Sequence, residues 1–402
     1  MSKGIKIALL ALACFATSIS EYAIVGIIDI VAASLGVSIT AAGMLLTGFA
    51  LSGAIGVPLL TMALSRFDRR DVMTISLALV VLGCLLVSLA SSYALIMASR
   101  VFMAIGAGMF AVTCFAAAPS LAEEGKQTSA IATVTLGFNA ALVLGLPLGR
   151  FLTEVLPWTA VFWFVGVASL VMIPVVRSII PARSADESAP AKAMPLRQQL
   201  SYLKRPNVLF AFGITLFWTS GYALMYSYIT PYLQETTELA SAQLSAVLLV
   251  FGLATLVGNK LGGYLSDHYG IRRTIVPGIV LQVVMMVAMY FLNGPLWLVV
   301  ASVVIWGVFA WIPSPVINMA VIQAAPDASD VMLSLNNSVT QLAYSIGSGV
   351  GGAIVALGST HNLCLAAIVF LALGAGSTIM ATRDSKSSAR TETETVAVAQ
   401  NA

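Results

Sequence analysis

Residues 181–206, PARSADESAPAKAMPLRQQLSYLKRP, form a long polar connection in a chain that is otherwise mostly apolar. Apolar runs of about twenty residues, the length that crosses a bilayer as a helix, lie on both sides of it. Six precede it, starting near Ile7, Thr40, Val72, Tyr93, Thr128 and Trp158, and six follow, starting near Val208, Ser241, Thr274, Leu296, Val331 and Asn362. Because lipid offers no partners for backbone hydrogen bonds, each run must be helical. The sequence therefore predicts an all-α membrane protein with twelve transmembrane helices in two groups of six.

The composition supports lipid as the solvent for much of the surface. Of the 402 residues, 59% are hydrophobic and 9% are charged, whereas soluble domains carry about 25% charged residues. The first apolar run continues past Glu21 to about Val31, which favours a retained first helix over a cleaved signal peptide.

The same pattern predicts the domain organisation. We expect an N-terminal six-helix bundle at residues 1–180, a cytoplasmic linker at 181–206 and a C-terminal six-helix bundle at 207–382. Residues 383–402 are rich in Ser, Thr, Glu and Ala, a composition that suggests a disordered cytoplasmic tail.

The basic residues predict the orientation. If twelve helices alternate, all 20 Lys and Arg except Arg100 and Arg150 fall on the side of the termini. Positive charge marks the cytoplasmic side, so we expect a multi-pass protein of the bacterial inner membrane with both termini in the cytoplasm.

An internal sequence repeat relates the two groups of helices. Arg69–Arg70 recurs as Arg272–Arg273, and Gly149 in GLPLGRFL recurs as Gly352 in SGVGGAIV, each after 203 residues. This spacing indicates a duplicated six-helix unit. Parallel halves of this kind place the substrate path between them, near the membrane midplane.

Several motifs resemble those of the major facilitator superfamily. Gly263–Arg273, GYLSDHYGIRR, is similar to the family loop G-x-L-x-D-x-x-G-x-R-R/K, and Ser65–Arg70 is a degenerate counterpart. Arg100 with Gly108 resembles the fourth-helix arginine motif of proton-driven members. The fifth-helix pattern resembles that of the drug/proton antiporter branch, which implies export.

The resemblance is greatest to the bacterial purine-base efflux and sugar-efflux/chloramphenicol-resistance group, through Glu21-Tyr22, Trp306-Gly307 and Pro313-Ser-Pro315. It implies a conformational latch formed by charges in the two loops. The residues to which we assign gating are Asp68, Arg69, Arg70, Asp267, Arg272 and Arg273 in the loops, and Gly145, Pro147 and Gly149 in the fifth helix. For the glycines, ordinary helix packing is an equally good interpretation.

Glu21 is the acidic residue placed deep within a predicted span. A charged carboxylate in hydrocarbon costs several kcal/mol unless it is paired or hydrated, and such residues are functional by default. We hypothesise that Glu21 is the proton-coupling site, against the alternative of a permanently protonated residue that bonds a neighbouring helix.

Arg100 and Asp29 are the other candidates for proton coupling. Arg100 is predicted to modulate a nearby carboxyl group or, alternatively, to anchor backbone carbonyls. Asp29 is predicted to relay protons to Glu21 or to be a hydrated interfacial residue. Arg150 and Glu154 lie four residues apart, which predicts an exposed pair on one helix face.

Substrate contacts require polar or aromatic side chains that face a cavity. The candidates are Asn139, Trp218, Tyr222, Tyr226, Asn318, Asn336, Asn337 and Gln341. Rings and amides suit a planar, neutral heterocycle such as a purine, and equally many drugs. Interhelical hydrogen bonding is the alternative role for each residue.

These patterns together predict a proton-coupled exporter of small organic molecules that works by alternating access. We expect the proton gradient as its energy source, no cofactor, no metal, no nucleic-acid partner and a monomeric state. An enzyme is not expected, because HExxH, GxSxG and GxxxxGK[ST] are absent from the sequence. An uptake symporter, a sugar exporter, and a receptor or passive channel are the alternatives.

Overall fold

The computed structural model describes residues 2–64, 67–90, 92–123, 127–180, 201–237, 239–291, 295–325 and 328–400. Within these ranges it gives only the backbone of residues 127–129, 329–330, 334 and 382–400. Most of the predicted linker, residues 181–200, lies outside the described part of the chain.

The described residues fold into α-helices. They are α1 (Lys3–Gly26), α2 (Ile28–Leu35), α3 (Ile39–Ala63), α4 (Arg69–Ser88), α5 (Tyr93–Leu121), α6 (Gln127–Val155), α7 (Ala160–Ile179), α8 (Pro206–Tyr226), α9 (Ile229–Thr236), α10 (Ser241–Tyr269), α11 (Ile271–Phe291), α12 (Leu296–Trp311), α13 (Pro313–Ala324), α14 (Ser329–Leu357) and α15 (Asn362–Gln400). A short 3-10 helix at Tyr202–Lys204 precedes α8.

Twelve segments of the described chain are long and apolar enough to cross a membrane. They correspond one to one with the twelve runs predicted from the sequence, and α12 and α13 together form the tenth. The last span is Asn362–Ala381. Helix α15 continues to Gln400, where the sequence suggested a disordered tail, because Ala, Glu, Lys and Arg are compatible with helix.

The first and seventh spans are each broken near one end, which the apolar pattern did not reveal. The backbone leaves helical geometry at Ile27, with φ −127° and ψ 18°, and at Tyr228, with φ −119° and ψ 21°. These positions are about one repeat length apart, so the break recurs in both halves of the sequence. Short helices α2 and α9 follow the two breaks.

Two compact units divide the chain. One contains Met1–Ser188, Leu224–Leu253 and Tyr344–Thr360, and the other contains Ala189–Ala223, Ala254–Ala343 and His361–Ala402. We call them unit 1 and unit 2. Unit 1 thus includes the ends of the seventh, eighth and eleventh spans in addition to the first six, so the units differ from the predicted bundles 1–180 and 207–382. That two-bundle division stays a prediction.

In unit 1, α1 packs closely along α6 through glycines. A Cβ atom on Gly137 would lie 2.1 Å from the carbonyl oxygen of Ala11, one on Gly145 would lie 2.9 Å from Cβ of Tyr22, and one on Gly149 would lie 2.8 Å from the carbonyl oxygen of Ala23. These glycines therefore allow backbone contact between the two helices, which is the packing interpretation.

In unit 2, α8 packs along α15 and α11 packs against α15 and α12. An apolar cluster around Val208, Phe212, Val321 and Met332 joins α8, α13 and α14. This core places the polar and aromatic side chains of α8 inside the unit.

Candidate transport site

Glu21 lies on the wall of a small cavity in unit 1. The cavity has a volume of about 30 Å³ and is lined by Glu21, Tyr22 and Val25 of α1, Leu46, Phe49 and Ala50 of α3, Tyr226, Ser227, Tyr344 and Ser348. Its volume is sufficient for about two water molecules. Glu21 is partly exposed there, whereas Ser20 and Tyr22 beside it are buried. A carboxyl group so placed can exchange a proton with cavity water.

Arg100 of α5 is fully buried next to this carboxyl group. Its Nη1 donates a hydrogen bond of 2.6 Å to the carbonyl oxygen of Ser20, and its guanidinium carbon lies 4.4 Å from the centre of the Phe49 ring. Nε and Nη2 have no hydrogen-bond partner within the described residues. Arg100 thus anchors a backbone carbonyl, as the structural alternative proposed, and it also interacts electrostatically with Glu21.

The surroundings of Glu21 act on its charge in opposite directions. Apolar walls disfavour an ionised carboxylate, and a nearby cation favours it.

Replacing Arg100 by lysine is expected to slow transport about tenfold, because an ammonium group cannot both bond the Ser20 carbonyl and lie flat on the Phe49 ring. The measurement is the initial transport rate per amount of folded protein. The matched control is Arg177→Lys, since Arg177 is about half exposed and its Nη2 lies 3.9 Å from Asp71. Equal rates in the two variants would contradict the prediction.

Asp29 and Arg150 form an ion pair that the sequence analysis missed. Arg150 Nη1 donates hydrogen bonds of 2.7 and 2.6 Å to the two carboxylate oxygens of Asp29. The predicted pair of Arg150 with Glu154 is wrong, because the Arg150 side chain turns away from solvent and is 9% exposed. The sequence did contain a signal for an unusual role of Arg150, since it is one of the two basic residues that do not fall on the predicted cytoplasmic side.

The carboxylate and the guanidinium each have a further partner. Gln234 of α9 donates a hydrogen bond of 2.7 Å from Nε2 to Asp29 Oδ2, and Arg150 donates one of 2.9 Å from Nε to Ser241 Oγ. The oxygens of Asp29 are thereby used as acceptors, and its side chain is 18% exposed. The two roles expected for Asp29, a proton relay and a hydrated interfacial residue, stay predictions.

The aromatic candidates on α8 lie inside unit 2 or on the cavity wall. Tyr222 is buried. The centre of its ring lies within 6.2 Å of the ring centres of Trp218, Trp306 and Trp311. Tyr226, which belongs to unit 1, lines the Glu21 cavity. Tyr226 is thus the predicted substrate contact that the structure brings beside Glu21.

The amide candidates are dispersed. Asn336 is buried, accepts a hydrogen bond of 2.6 Å from Thr215 and donates one of 3.0 Å to Asn318, so the interhelical alternative describes its contacts. Asn337 is exposed, while Gln341 and Asn139 are partly exposed. Substrate contact stays a prediction for these residues.

The predicted latch residues lie at helix ends. Asp68 precedes α4, Asp267 is near the end of α10, and Arg272 and Arg273 begin α11. Arg69 donates a hydrogen bond of 3.2 Å to the carbonyl oxygen of Ala116. In the described part of the chain, no ion pair joins Asp267 to either arginine, and the latch stays a prediction, as does the hinge role of Gly145, Pro147 and Gly149.

Within the described residues, twelve segments long and apolar enough to span a bilayer define a polytopic membrane protein. The model of the Major Facilitator Superfamily matches residues 10–348 and 225–399. The chain therefore belongs to this superfamily, as the sequence motifs suggested, and it has the superfamily fold.

Relatives that match nearly the whole chain are also described as transporters. The chain is 38% identical to the uncharacterised MFS-type transporter YbcL of Bacillus subtilis, over 93% of this chain and 94% of that protein. It is 30% identical to the inner membrane transport protein YdhP of Escherichia coli K12, over 88% and 89%. It is 27% identical to the Probable sugar efflux transporter of Mannheimia succiniciproducens, over 93% and 92%.

A solved structure has the same fold. The crystal structure of a bacterial homologue of the human lysosomal transporter Spinster, in an inward-facing and unoccupied conformation, superposes with a TM-score of 0.73 at 14% identity, over 95% of this chain and 97% of that chain. Membership of the superfamily and the relatives over nearly the whole chain identify the protein as a multi-pass membrane transporter.

Proposed function

We propose that the protein is a proton-coupled exporter of small organic molecules in which Glu21 carries the proton. The observation that supports this most directly is the position of the Glu21 carboxyl group. It lies on the wall of a cavity large enough for water, with the fully buried Arg100 beside it. Intramembrane carboxyl groups of this kind mark ion and proton pathways in transporters.

The cavity volume suggests that proton binding and substrate binding take place in different conformations. About 30 Å³ accommodates water but not an organic molecule, since pockets for drug-sized ligands measure about 300–1,000 Å³. In this conformation the site exchanges protons, and the space for substrate forms when the surrounding helix ends separate. Alternating access meets both requirements, because proton binding and substrate binding then favour different conformations.

As substrates we propose purine bases, nucleosides or drugs, and as the direction of transport we propose export. The fifth-helix pattern around Gly145, Pro147 and Gly149 resembles that of exporters, and Tyr226 presents an aromatic ring to the Glu21 cavity. Stacking on such a ring suits a planar heterocycle.

Sugar export is the second candidate, and it is favoured by the relative from Mannheimia succiniciproducens that is named as a sugar efflux transporter. Proton-coupled uptake is a further alternative within the superfamily. Operation as a monomer without a cofactor, with the bilayer and small solutes as partners and cytoplasmic termini, stays a prediction.

Everted membrane vesicles provide the test. Labelled adenine, a nucleoside, a sugar and an antibiotic are each added outside vesicles with and without an inward-acidic pH gradient. We expect the gradient to accelerate accumulation of one class many-fold over vesicles lacking the protein, and a protonophore to remove the acceleration. Accumulation that does not respond to the gradient would contradict proton coupling, and transport of the sugar alone would select the second candidate.

A further inference from the structure

The ion pair Asp29–Arg150 is held at the end of unit 1 remote from the amino terminus, which we call the distal end. Asp29 follows Glu21 by eight residues, roughly two helical turns along the first span. Both members of the pair belong to the first half of the sequence, on α2 and α6. Their added partners, Gln234 on α9 and Ser241 on α10, belong to the second half.

This distribution separates permanent from breakable bonds. The ion pair lies within one half, so it can persist when segments of the two halves part. The bonds from Gln234 to Asp29 and from Arg150 to Ser241 join the halves, so they break if the halves separate here during the alternating access proposed above. Each is a neutral–charged hydrogen bond of 2.7 or 2.9 Å, a kind that is stronger than a neutral pair.

Neutral contacts of Thr230 and Tyr228 with other helices accompany these bonds. Thr230 donates a hydrogen bond of 3.2 Å to the carbonyl oxygen of Val25, next to the break in the first span. Tyr228 donates one of 3.1 Å to the carbonyl oxygen of Ser348 and lies where a Cβ atom on Gly43 would be placed. Together with the bond of Gln234, these contacts hold α9 and the residues before it against α1, α2 and α3 at the distal end.

We propose that the Asp29–Arg150 ion pair is a preformed docking element for distal closure, and that Gln234 and Ser241 are positioning residues that attach to it and release it in each transport cycle. The ion pair supplies one negative and one positive contact at fixed spacing. Only a second half that presents an acceptor to Arg150 and a donor to Asp29 satisfies both, so closure is specific in register. The proposal requires neither proton coupling nor a particular substrate.

The test measures how easily the Glu21 cavity is reached from each face of the membrane. The background variant has Cys14, Cys84, Cys114 and Cys364, all of them buried, replaced by alanine, and Ser227→Cys on the cavity wall as the probe. A membrane-impermeant maleimide is added separately to right-side-out and to everted vesicles. In the background variant we expect slow labelling from the distal face.

Gln234→Leu and Ser241→Ala each remove one of the breakable bonds and leave the ion pair intact. We expect each to raise the labelling rate from the distal face about tenfold, the effect of losing one charge-assisted hydrogen bond, with no rise from the opposite face. Ser245→Ala is the matched control, because Ser245 Oγ donates only to the Ser241 carbonyl of its own helix. A purely structural role would lower the yield of folded protein without a rate change confined to one face.

The ion pair itself is tested with both charges removed together, as Asp29→Asn with Arg150→Gln, because loss of one partner leaves a buried charge that can prevent folding. We expect this double variant to label from the distal face at least as fast as Gln234→Leu. The proposal is overturned if Gln234→Leu and Ser241→Ala label at the rate of Ser245→Ala, or if labelling rises equally from both faces. Because no substrate is involved, these results leave the proposed function to its own vesicle assay.

Discussion

Glu21→Gln is expected to reduce accumulation driven by a pH gradient to the level of vesicles without the protein. Glutamine keeps the size of the side chain and one oxygen that accepts hydrogen bonds, but it does not gain or lose a proton near neutral pH. Glu21 is partly exposed in a cavity large enough for water, and in the proposed mechanism it is the residue that carries the proton. The measurement is gradient-driven uptake of the transported compound into everted vesicles.

Counterflow separates loss of coupling from loss of folding. Exchange of labelled for unlabelled substrate needs the conformational change but no net proton movement, so Glu21→Gln should retain it. Glu154→Gln is the matched control, because Glu154 is exposed on α6 and the Arg150 expected to pair with it bonds Asp29 instead. Gradient-driven export at the normal rate by Glu21→Gln would refute the role of this residue.

Gly137→Ala is expected to be among the most destabilising of the substitutions that add a single methyl group to this protein. Its Cβ atom would lie 2.1 Å from the Ala11 carbonyl oxygen, 2.8 Å from the carbonyl carbon and 3.1 Å from Cα. All three are backbone atoms, so the contact is relieved only by moving α1 away from α6. Overpacking typically costs about 1–3 kcal/mol, and here the whole helix interface must shift.

Gly376→Ala is the control for Gly137→Ala. It lies in the last span with open space around its Cβ position, so alanine should be neutral or slightly stabilising through its helix propensity. Thermal unfolding of both variants in detergent, followed by size-exclusion chromatography, makes the comparison. Equal midpoints would show that the α1–α6 interface is looser than its geometry indicates. Because α1 carries Glu21, we also expect slower transport by any Gly137→Ala protein that folds.

The membrane architecture could be predicted from local sequence because the physical requirement is local. A run such as 72–88 must be apolar to lie in lipid and helical to satisfy its own backbone, and no partner elsewhere in the chain alters either condition. The 203-residue repeat and the family motifs are local patterns in the same sense. For Glu21, an acid in an apolar run was sufficient to identify the candidate.

The partners of the charged residues could not be predicted in this way. A spacing of four residues suggested Arg150 with Glu154, whereas the structure pairs Arg150 with Asp29, 121 residues earlier in the chain. Asn336 was equally suited to substrate and to structure until its bonds to Thr215 and Asn318 were known. The breaks at Ile27 and Tyr228 were not predicted, although Gly26 directly precedes the first and Pro231 follows the second by three residues.

By itself, therefore, the sequence determined the twelve apolar segments, their helical state and the acid within the first of them, since each depends on the transfer of a single segment from water to lipid. Only the tertiary structure decided which helices approach through Gly137 and Gly149, which groups surround Glu21 and which side chains close the distal end. Those features depend on the distances between helices that are remote in sequence, and hydropathy carries no information about such distances.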